Sequence, residues 1–198
     1  GDEVLITLAE HASNTLPWFE VAKHTGAIIK YIDLDEEGKV TLENVKKAVT
    51  EHTKIISLAQ ITNVLGYLAP IKEICNFAHE HDIIVCVDGA QSAPHHAVDV
   101  QDLDVDFFAF SGHKMCGPTG VGVLYGKYHL LEEMTPTRFG GGSNARYNSC
   151  GLVKLKNAPT KFETGTPNIE GVIGLGSAIE YLQNIGMKNI EEHEAMLR

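Results

Sequence analysis

Short apolar runs alternate with longer amphipathic stretches along most of the chain. Val4-Leu8, Ile28-Ile32, Ile55-Ala59, Ile83-Val87 and Phe107-Phe110 are nearly continuous in Ile, Val, Leu or Phe. Runs of this kind suit strands covered on both faces. Between them, Trp18-Thr25, Leu42-Val49 and Ile71-His81 carry helix-length amphipathic patterns. Thr41 is placed to cap the second of these, and Pro70 stands just ahead of the third, where its missing N–H costs nothing. This alternation predicts an α/β fold, a mainly parallel, doubly wound sheet with helices on both faces. Gly120-Tyr125 predicts a further short strand after a Gly-rich turn. Phe139-Gly140-Gly141-Gly142-Ser143 breaks regular structure and opens a polar, loop-rich stretch. Glu170-Leu182 and Met187-Met196 predict terminal helices separated by Gly186. No repeat, low-complexity segment or linker interrupts the chain, so residues 1–198 read as one domain.

Composition changes this picture little. At 198 residues, with 43% hydrophobic and 21% charged residues, the chain is an ordinary globular one. Its net charge of −10 is spread along the sequence. That disfavours nucleic acid and anionic membrane as partners, since both select clustered Lys and Arg. No apolar run reaches the length of a membrane span, and Gly1-Asp2-Glu3-Val4 lacks the features of a leader, so a cytoplasmic location is expected. Cys75, Cys86, Cys116 and Cys150 are widely spaced and form no CxxC pair. That spacing argues against a disulfide framework or a zinc site. Cys75 and Cys86 fit as small buried residues, and Cys116 and Cys150 lie in loop-like sequence.

The polar residues just past the strands carry the chemistry. Glu10-His11-Ala12-Ser13-Asn14 succeeds the first run, and Gln60 and Asn63 the third. Asp88 and Gln91 succeed the fourth, and Ser111-Gly112-His113-Lys114 the fifth. Ligands of open parallel sheets bind beyond the carboxyl ends of the strands. Taken singly, Asp88 could cap a helix, Lys114 could be a solvated lysine and His11 a half-buried histidine bonded to backbone. Those readings leave the regular placement unexplained. Pyridoxal phosphate (PLP) chemistry accounts for the whole set. A lysine links to the cofactor aldehyde, and an acid keeps the pyridine nitrogen protonated so that the ring draws electrons. Asp88, emerging from an apolar strand, suits the second task, and Ser111 and His113 supply phosphate donors beside Lys114.

The motifs Val87-Asp88-Gly89-Ala90-Gln91, Phe110-Ser111-Gly112-His113-Lys114, Gly117-Pro118-Thr119-Gly120 and Phe162-Glu163-Thr164-Gly165-Thr166-Pro167-Asn168 resemble the class V aminotransferase signatures of cysteine desulfurases, most closely the SUF-type (group II) branch. Glu10-His11-Ala12-Ser13-Asn14 with Pro17-Trp18, and Asn63-Val64-Leu65-Gly66, fit the same branch. The resemblance runs from Gly1 to Arg198 and implies an aspartate-aminotransferase-like large domain of a PLP-dependent transferase. It implies that Lys114 holds the cofactor and moves the proton between substrate and cofactor carbons. It further implies that Asp88 pairs with the pyridine nitrogen, Gln91 bonds the phenolic oxygen and His11 stacks on the ring. Ser111 and His113 would hold the phosphate, Thr166 would reach the phosphate of the neighbouring subunit in a homodimer, and Asn63 would lie near the substrate carboxylate. The family's usual Glu-His-His-Ala-Asn is here Glu-His-Ala-Ser-Asn, so the second histidine is absent.

The family's enzymes also carry an N-terminal segment with another phosphate-binding Thr, and a C-terminal small domain with the sulfur-accepting cysteine and a substrate-clamping arginine. Neither is recognised in these 198 residues, and none of the four cysteines matches that nucleophile. The expectation is an incomplete large domain that does not complete desulfuration by itself. The leading reading is the core of a cysteine desulfurase, converting L-cysteine to L-alanine and passing sulfur to an acceptor protein for iron–sulfur cluster assembly. Selenocysteine lyase or another class V PLP enzyme would share these residues, and a non-catalytic scaffold is the alternative of a different class. Metal sites are not expected: His79 and His81 point in different directions on a helix, and His95-His96 lack a ligand at suitable spacing. Gly117-Pro118-Thr119-Gly120 is neither a Rossmann nor a Walker fingerprint and serves to free backbone beside Lys114. Gly140-Gly141-Gly142 is either a mobile loop at the mouth of the site or a plain connector.

Overall fold

The structure is a computed structural model that describes residues 1–197. Six strands form the main sheet: β1 (Glu3–Ile6), β2 (Ile28–Tyr31), β3 (Thr53–Ala59), β4 (Ile84–Asp88), β5 (Phe107–Ser111) and β6 (Gly122–Gly126), in the order β2-β1-β3-β4-β5-β6. The first five are parallel, and β6 runs antiparallel to β5. The reversal has a local cause. The segment between β5 and β6 is too short for a crossover helix, which parallel strands require. It closes as a tight loop in which Gly112 N–H donates to Val121 C=O at 2.9 Å and Gly117 N–H donates to Gly112 C=O at 2.9 Å.

The helices are α1 (Leu16–Thr25), α2 (Leu42–Ala48), α3 (Ile71–His79), α4 (Val100–Leu103), α5 (Tyr128–Glu133), α6 (Ile169–Ile185) and α7 (Met187–Leu197). Thr41 caps α2 as its sequence position suggests, accepting the Asn44 N–H at 3.1 Å. Asp99 caps the single turn of α4 through the Gln101 and Asp102 N–H groups. A small hairpin, β7 (Asn144–Tyr147) with β8 (Val153–Leu155), occupies the polar stretch expected to be irregular.

One face of the sheet carries the main core. Leu5, Ile56, Leu58, Val85, Val87 and Phe108 pack with Val45 of α2 and with Ile71, Ile74, Cys75 and Ala78 of α3. The α3 residues recur at helical spacing, so the helix buries one stripe. Each such Ile or Leu side chain stabilises the fold by about 1.5–3 kcal/mol through burial. The opposite face is flanked by Trp18 of α1 and by Leu130 of α5, and between them lies a groove of about 860 Å3 over the middle strands. A second cluster joins Leu175 and Leu182 of α6 to Met115, the residue after Lys114. Burial of Met115 against α6 pins the end of the Lys114 turn.

Candidate active site

Because β1, β3, β4 and β5 are parallel, their carboxyl ends share one edge, and the residues just past each strand are delivered there. His11, Asp88, Ser111, His113 and Lys114 all line the same groove, joined by Asn14, Ser57 and Trp18. Asp88 ends β4 between Ala59 of β3 and Ala109 of β5, whose small side chains leave its carboxylate room. Its Oδ1 accepts the Ala90 N–H at 2.9 Å, an Asx-type bond that fixes the carboxyl orientation. Lys114 closes a 3-10 turn, Gly112–Lys114, that starts where β5 ends. It is half-buried, and among the described residues its side chain has no hydrogen-bond or ion-pair partner. Added side chains would not fit in this loop. A Cβ at Gly112 would lie 2.9 Å from Val121 Cγ1, and one at Gly117 would lie 2.8 Å from the Gly112 oxygen. The Gly-rich loop thus packs its backbone closely at both ends of the Lys114 turn.

His11 opens the next 3-10 turn, Ala12–Asn14, and its Nδ1 accepts the Ser13 N–H at 3.2 Å. A backbone N–H only donates, so that bond assigns the ring proton to Nε2. The imidazole is thereby fixed both in tautomer and in orientation. Beside it, Glu10 is half-buried. Burial pushes its carboxyl pKa up, opposed by hydrogen bonds from Asn14, Thr7 and the Ala59 amide, with the Asp88 charge adding to the rise.

Three of the expected site residues do not line this groove. Gln91 and Asn63 line a neighbouring recess with His95 and His96, and Asn63 also borders a shallow pocket next to His11. Thr166 is exposed on the loop before α6. His95 and His96 have carboxylate neighbours after all, supplied from α7. His95 Nδ1 lies 2.6 Å from Glu194 and His96 Nδ1 3.2 Å from Glu191. No carboxylate near in sequence foretold these pairs. His79 is engaged by Asp104 and Asp106 at 3.1 and 2.9 Å, whereas His81 bonds the Phe77 carbonyl. The two histidines therefore do diverge. Among the described residues no group of three or more His, Cys, Asp or Glu could hold a metal ion. Ser57 was not expected at the site. Its only sequence signal is a polar residue inside an apolar strand, and it bonds Asn14 at 2.7 Å.

An amine without a partner among the described residues, a carboxylate, two imidazoles and a hydroxyl, converging at the edge of a parallel sheet, form a donor set that suits pyridoxal phosphate. The model of the class-V aminotransferase family matches residues 1–198. The chain belongs to that family. A probable cysteine desulfurase of Halalkalibacterium halodurans is 53% identical over 196 residues, covering 98% of this chain and 48% of the relative. The apo cysteine desulfurase from Thermococcus onnurineus NA1 superposes with a TM-score of 0.94 at 38% identity, covering 100% of this chain and 49% of that one. A mutant of C-DES, with glycine covalently linked to its PLP cofactor, matches with a TM-score of 0.85 at 27% identity, over 97% of this chain and 52% of the other. The chain therefore spans about half the length of the relatives it matches. The cofactor of this family is pyridoxal phosphate, and the groove at the strand ends is where this class V chain places the groups that suit it.

Proposed function

We propose that this chain is the cofactor-binding large domain of a cysteine desulfurase of the SUF-type branch. In the whole enzyme it would serve release of sulfur from L-cysteine, leaving L-alanine. The convergence of Lys114, Asp88, His11, Ser111 and His113 on one groove carries the proposal. When bound, pyridoxal phosphate supplies an electron sink for negative charge developing at the substrate α-carbon. The chain's own residues do the rest. Lys114 anchors the cofactor by its amine and carries a proton to and from the α-carbon. Asp88, already oriented by the Ala90 amide, keeps the proton on the ring nitrogen, and its largely apolar surroundings strengthen that pairing. His11, its tautomer set by Ser13, would stack on the cofactor ring. The Ser111 hydroxyl and the His113 imidazole bind the phosphate. Gln91 would donate to the phenolic oxygen and Asn63 would meet the substrate carboxylate, although both line the neighbouring recess here. Thr166 serves the phosphate of the second subunit of a homodimer.

Sulfur transfer belongs to the longer enzyme. Cys75 and Cys86 lie in the sheet and helix layers with thiol pKa values pushed up to about 12 by burial, which disqualifies them as nucleophiles. Cys116 and Cys150 are exposed on loops, and neither is assigned the sulfur-accepting role in this reading. In this reading the chain supplies the cofactor site, and turnover of cysteine is a property of the longer enzyme. Its destination is a cytoplasmic enzyme that hands sulfur to an acceptor protein for iron–sulfur cluster assembly.

The test is titration of the chain with pyridoxal phosphate, following the visible absorbance that a lysine-linked cofactor develops. Wild type should develop the band and Lys114→Ala should not. A band that survives in Lys114→Ala would remove the lysine assignment, and no band in wild type would leave a scaffold without cofactor. Product assays with cysteine and selenocysteine on the full-length enzyme decide between desulfurase and selenocysteine lyase.

A further inference from the structure

Glu10 is a half-buried titratable group beside the site that the chemistry above does not use. Its Oε1 accepts the Thr7 hydroxyl at 2.9 Å, and its Oε2 accepts Asn14 Nδ2 at 2.7 Å and the Ala59 N–H at 2.8 Å. Asn14 is held from its other side, where its Oδ1 accepts the Ser57 hydroxyl at 2.7 Å. The Ala59 bond replaces a missing strand. Gln60 N–H donates across to Asp88 of β4, so the Ala59 N–H points the other way, toward β1. The β1–β3 register ends at Leu5↔Ile56, which leaves no backbone acceptor of β1 at that level. A buried N–H without a partner is costly, and a carboxylate satisfies it with a charge-assisted bond.

We propose that Glu10 is a positioning residue that stakes the His11 turn to the ends of β3 and β1, and so sets the tautomer and direction from which His11 meets the cofactor ring. The chain of contacts is continuous. Glu10 holds Asn14, and Asn14 N–H closes the turn on the His11 carbonyl at 2.8 Å. That turn places the Ser13 N–H against His11 Nδ1. Without the stake, the Asn14 side chain keeps only its bond to Ser57, and the turn loses its ties to Thr7 after β1 and to Ala59 at the end of β3. The link to the cofactor rests on the functional reading above, whereas the link from Glu10 to His11 does not.

The experiment compares the wild-type chain with Glu10→Gln, Glu10→Ala and Asn14→Ala. It uses histidine labelled with 15N in the ring, amide hydrogen exchange, and pyridoxal phosphate titration. A glutamine side chain keeps an acceptor for Asn14 and Ala59, so Glu10→Gln should retain the His11 nitrogen pattern of a bare Nδ1 and a protonated Nε2. Its cofactor affinity should stay within about threefold of wild type. Glu10→Ala should average the two nitrogens, speed exchange of the Ala59 amide and weaken cofactor binding by about tenfold or more. Asn14→Ala leaves the Ala59 bond in place, so it should disturb His11 while the Ala59 amide stays protected. This variant carries the test if Glu10→Ala does not fold. Unchanged His11 nitrogens in Glu10→Ala or Asn14→Ala, or equal losses in Glu10→Gln and Glu10→Ala, would overturn the proposal. If the His11 pattern responds as expected while even wild type fails to bind cofactor, the stake stands and the cofactor reading falls.

Discussion

Gly89, the residue after Asp88, offers a sharp test of how the site is supported from beneath. A Cβ at this position would lie 2.0, 2.2 and 2.8 Å from Cζ, Cε1 and Cε2 of Phe108. Non-bonded carbons rest at about 3.5–4.0 Å, so the ring or the backbone must retreat by about 1.5 Å. Neither retreats easily. Phe108 is 2% exposed and packed in the main core, and Gly89 N–H donates to Ala109 C=O at 2.8 Å, tying β4 to β5. Gly89 is not among the glycines with positive φ, so the penalty is steric and owes nothing to backbone strain. Overpacking of a well-filled core costs about 1–3 kcal/mol, and a fully enclosed ring puts Gly89→Ala near the top of that range, about 3 kcal/mol. Urea denaturation of wild type, Gly89→Ala, Phe108→Leu and the double variant measures it. Phe108→Leu alone should cost about 1–2 kcal/mol by leaving space, and the added methyl should partly fill that space. The double variant should therefore lose at least about 1 kcal/mol less than the sum of the single losses. A loss below about 0.5 kcal/mol in Gly89→Ala, or strict additivity in the double variant, would refute the reasoning.

The same network of contacts sets other expectations. Asp106 is buried and accepts the Val85 N–H at 2.8 Å and His79 Nε2 at 2.9 Å, with Lys127 at 3.0 Å, so Asp106→Ala should cost about 3 kcal/mol in denaturant unfolding. Hydrogen bonds from Lys30 and Thr50 hold the Glu3 carboxyl below its ordinary value of 4.5, against the opposing effect of burial. Folding lowers this pKa, so the stabilisation is complete above about 4.5 and fades as pH falls through the folded value. The stability gap between wild type and Glu3→Gln should therefore be largest near neutral pH and shrink in acid, as read by denaturation at a series of pH values. With their thiols pushed up to about 12, Cys75 and Cys86 should resist alkylation at pH 8 in the native chain, whereas Cys116 and Cys150 react; mass spectrometry of the labelled peptides reports which.

Much of the architecture was legible because it rests on local patterns. Ile55-Ala59 and Ile83-Val87 lie in strands to within a residue or two, and the stripe of Ile71, Ile74, Cys75 and Ala78 fixes α3. The cap at Thr41 and the divergence of His79 and His81 came from side-chain chemistry and helical spacing alone. The features that stayed hidden depend on contacts distant in sequence or on elements too short to show a period. The single turn of α4 and the six residues of α5 carry no readable periodicity. The hairpin of β7 and β8 hides in a polar stretch because little of it is buried. The groups at the site were legible as a set, since each stands at or beyond the carboxyl end of a strand. Their grouping was not, because side-chain direction places Gln91 and Asn63 in a recess apart from Lys114. The carboxylates that meet His95 and His96 come from the far end of the chain, beyond the reach of any spacing rule.

The antiparallel return of β6 also bears on the order in which the site assembles. Ser111 pairs with Gly122 across a short loop, so the hairpin that presents Lys114 closes at small entropic cost. The pairing of Glu3 with Thr53, which carries His11 and Glu10 into place, closes a far longer loop and is the slower event. During folding the lysine-bearing hairpin is thus expected to exist before the His11 turn arrives. A chain caught at that stage would present the Lys114 amine before the β1–β3 pairing brings His11 to the groove.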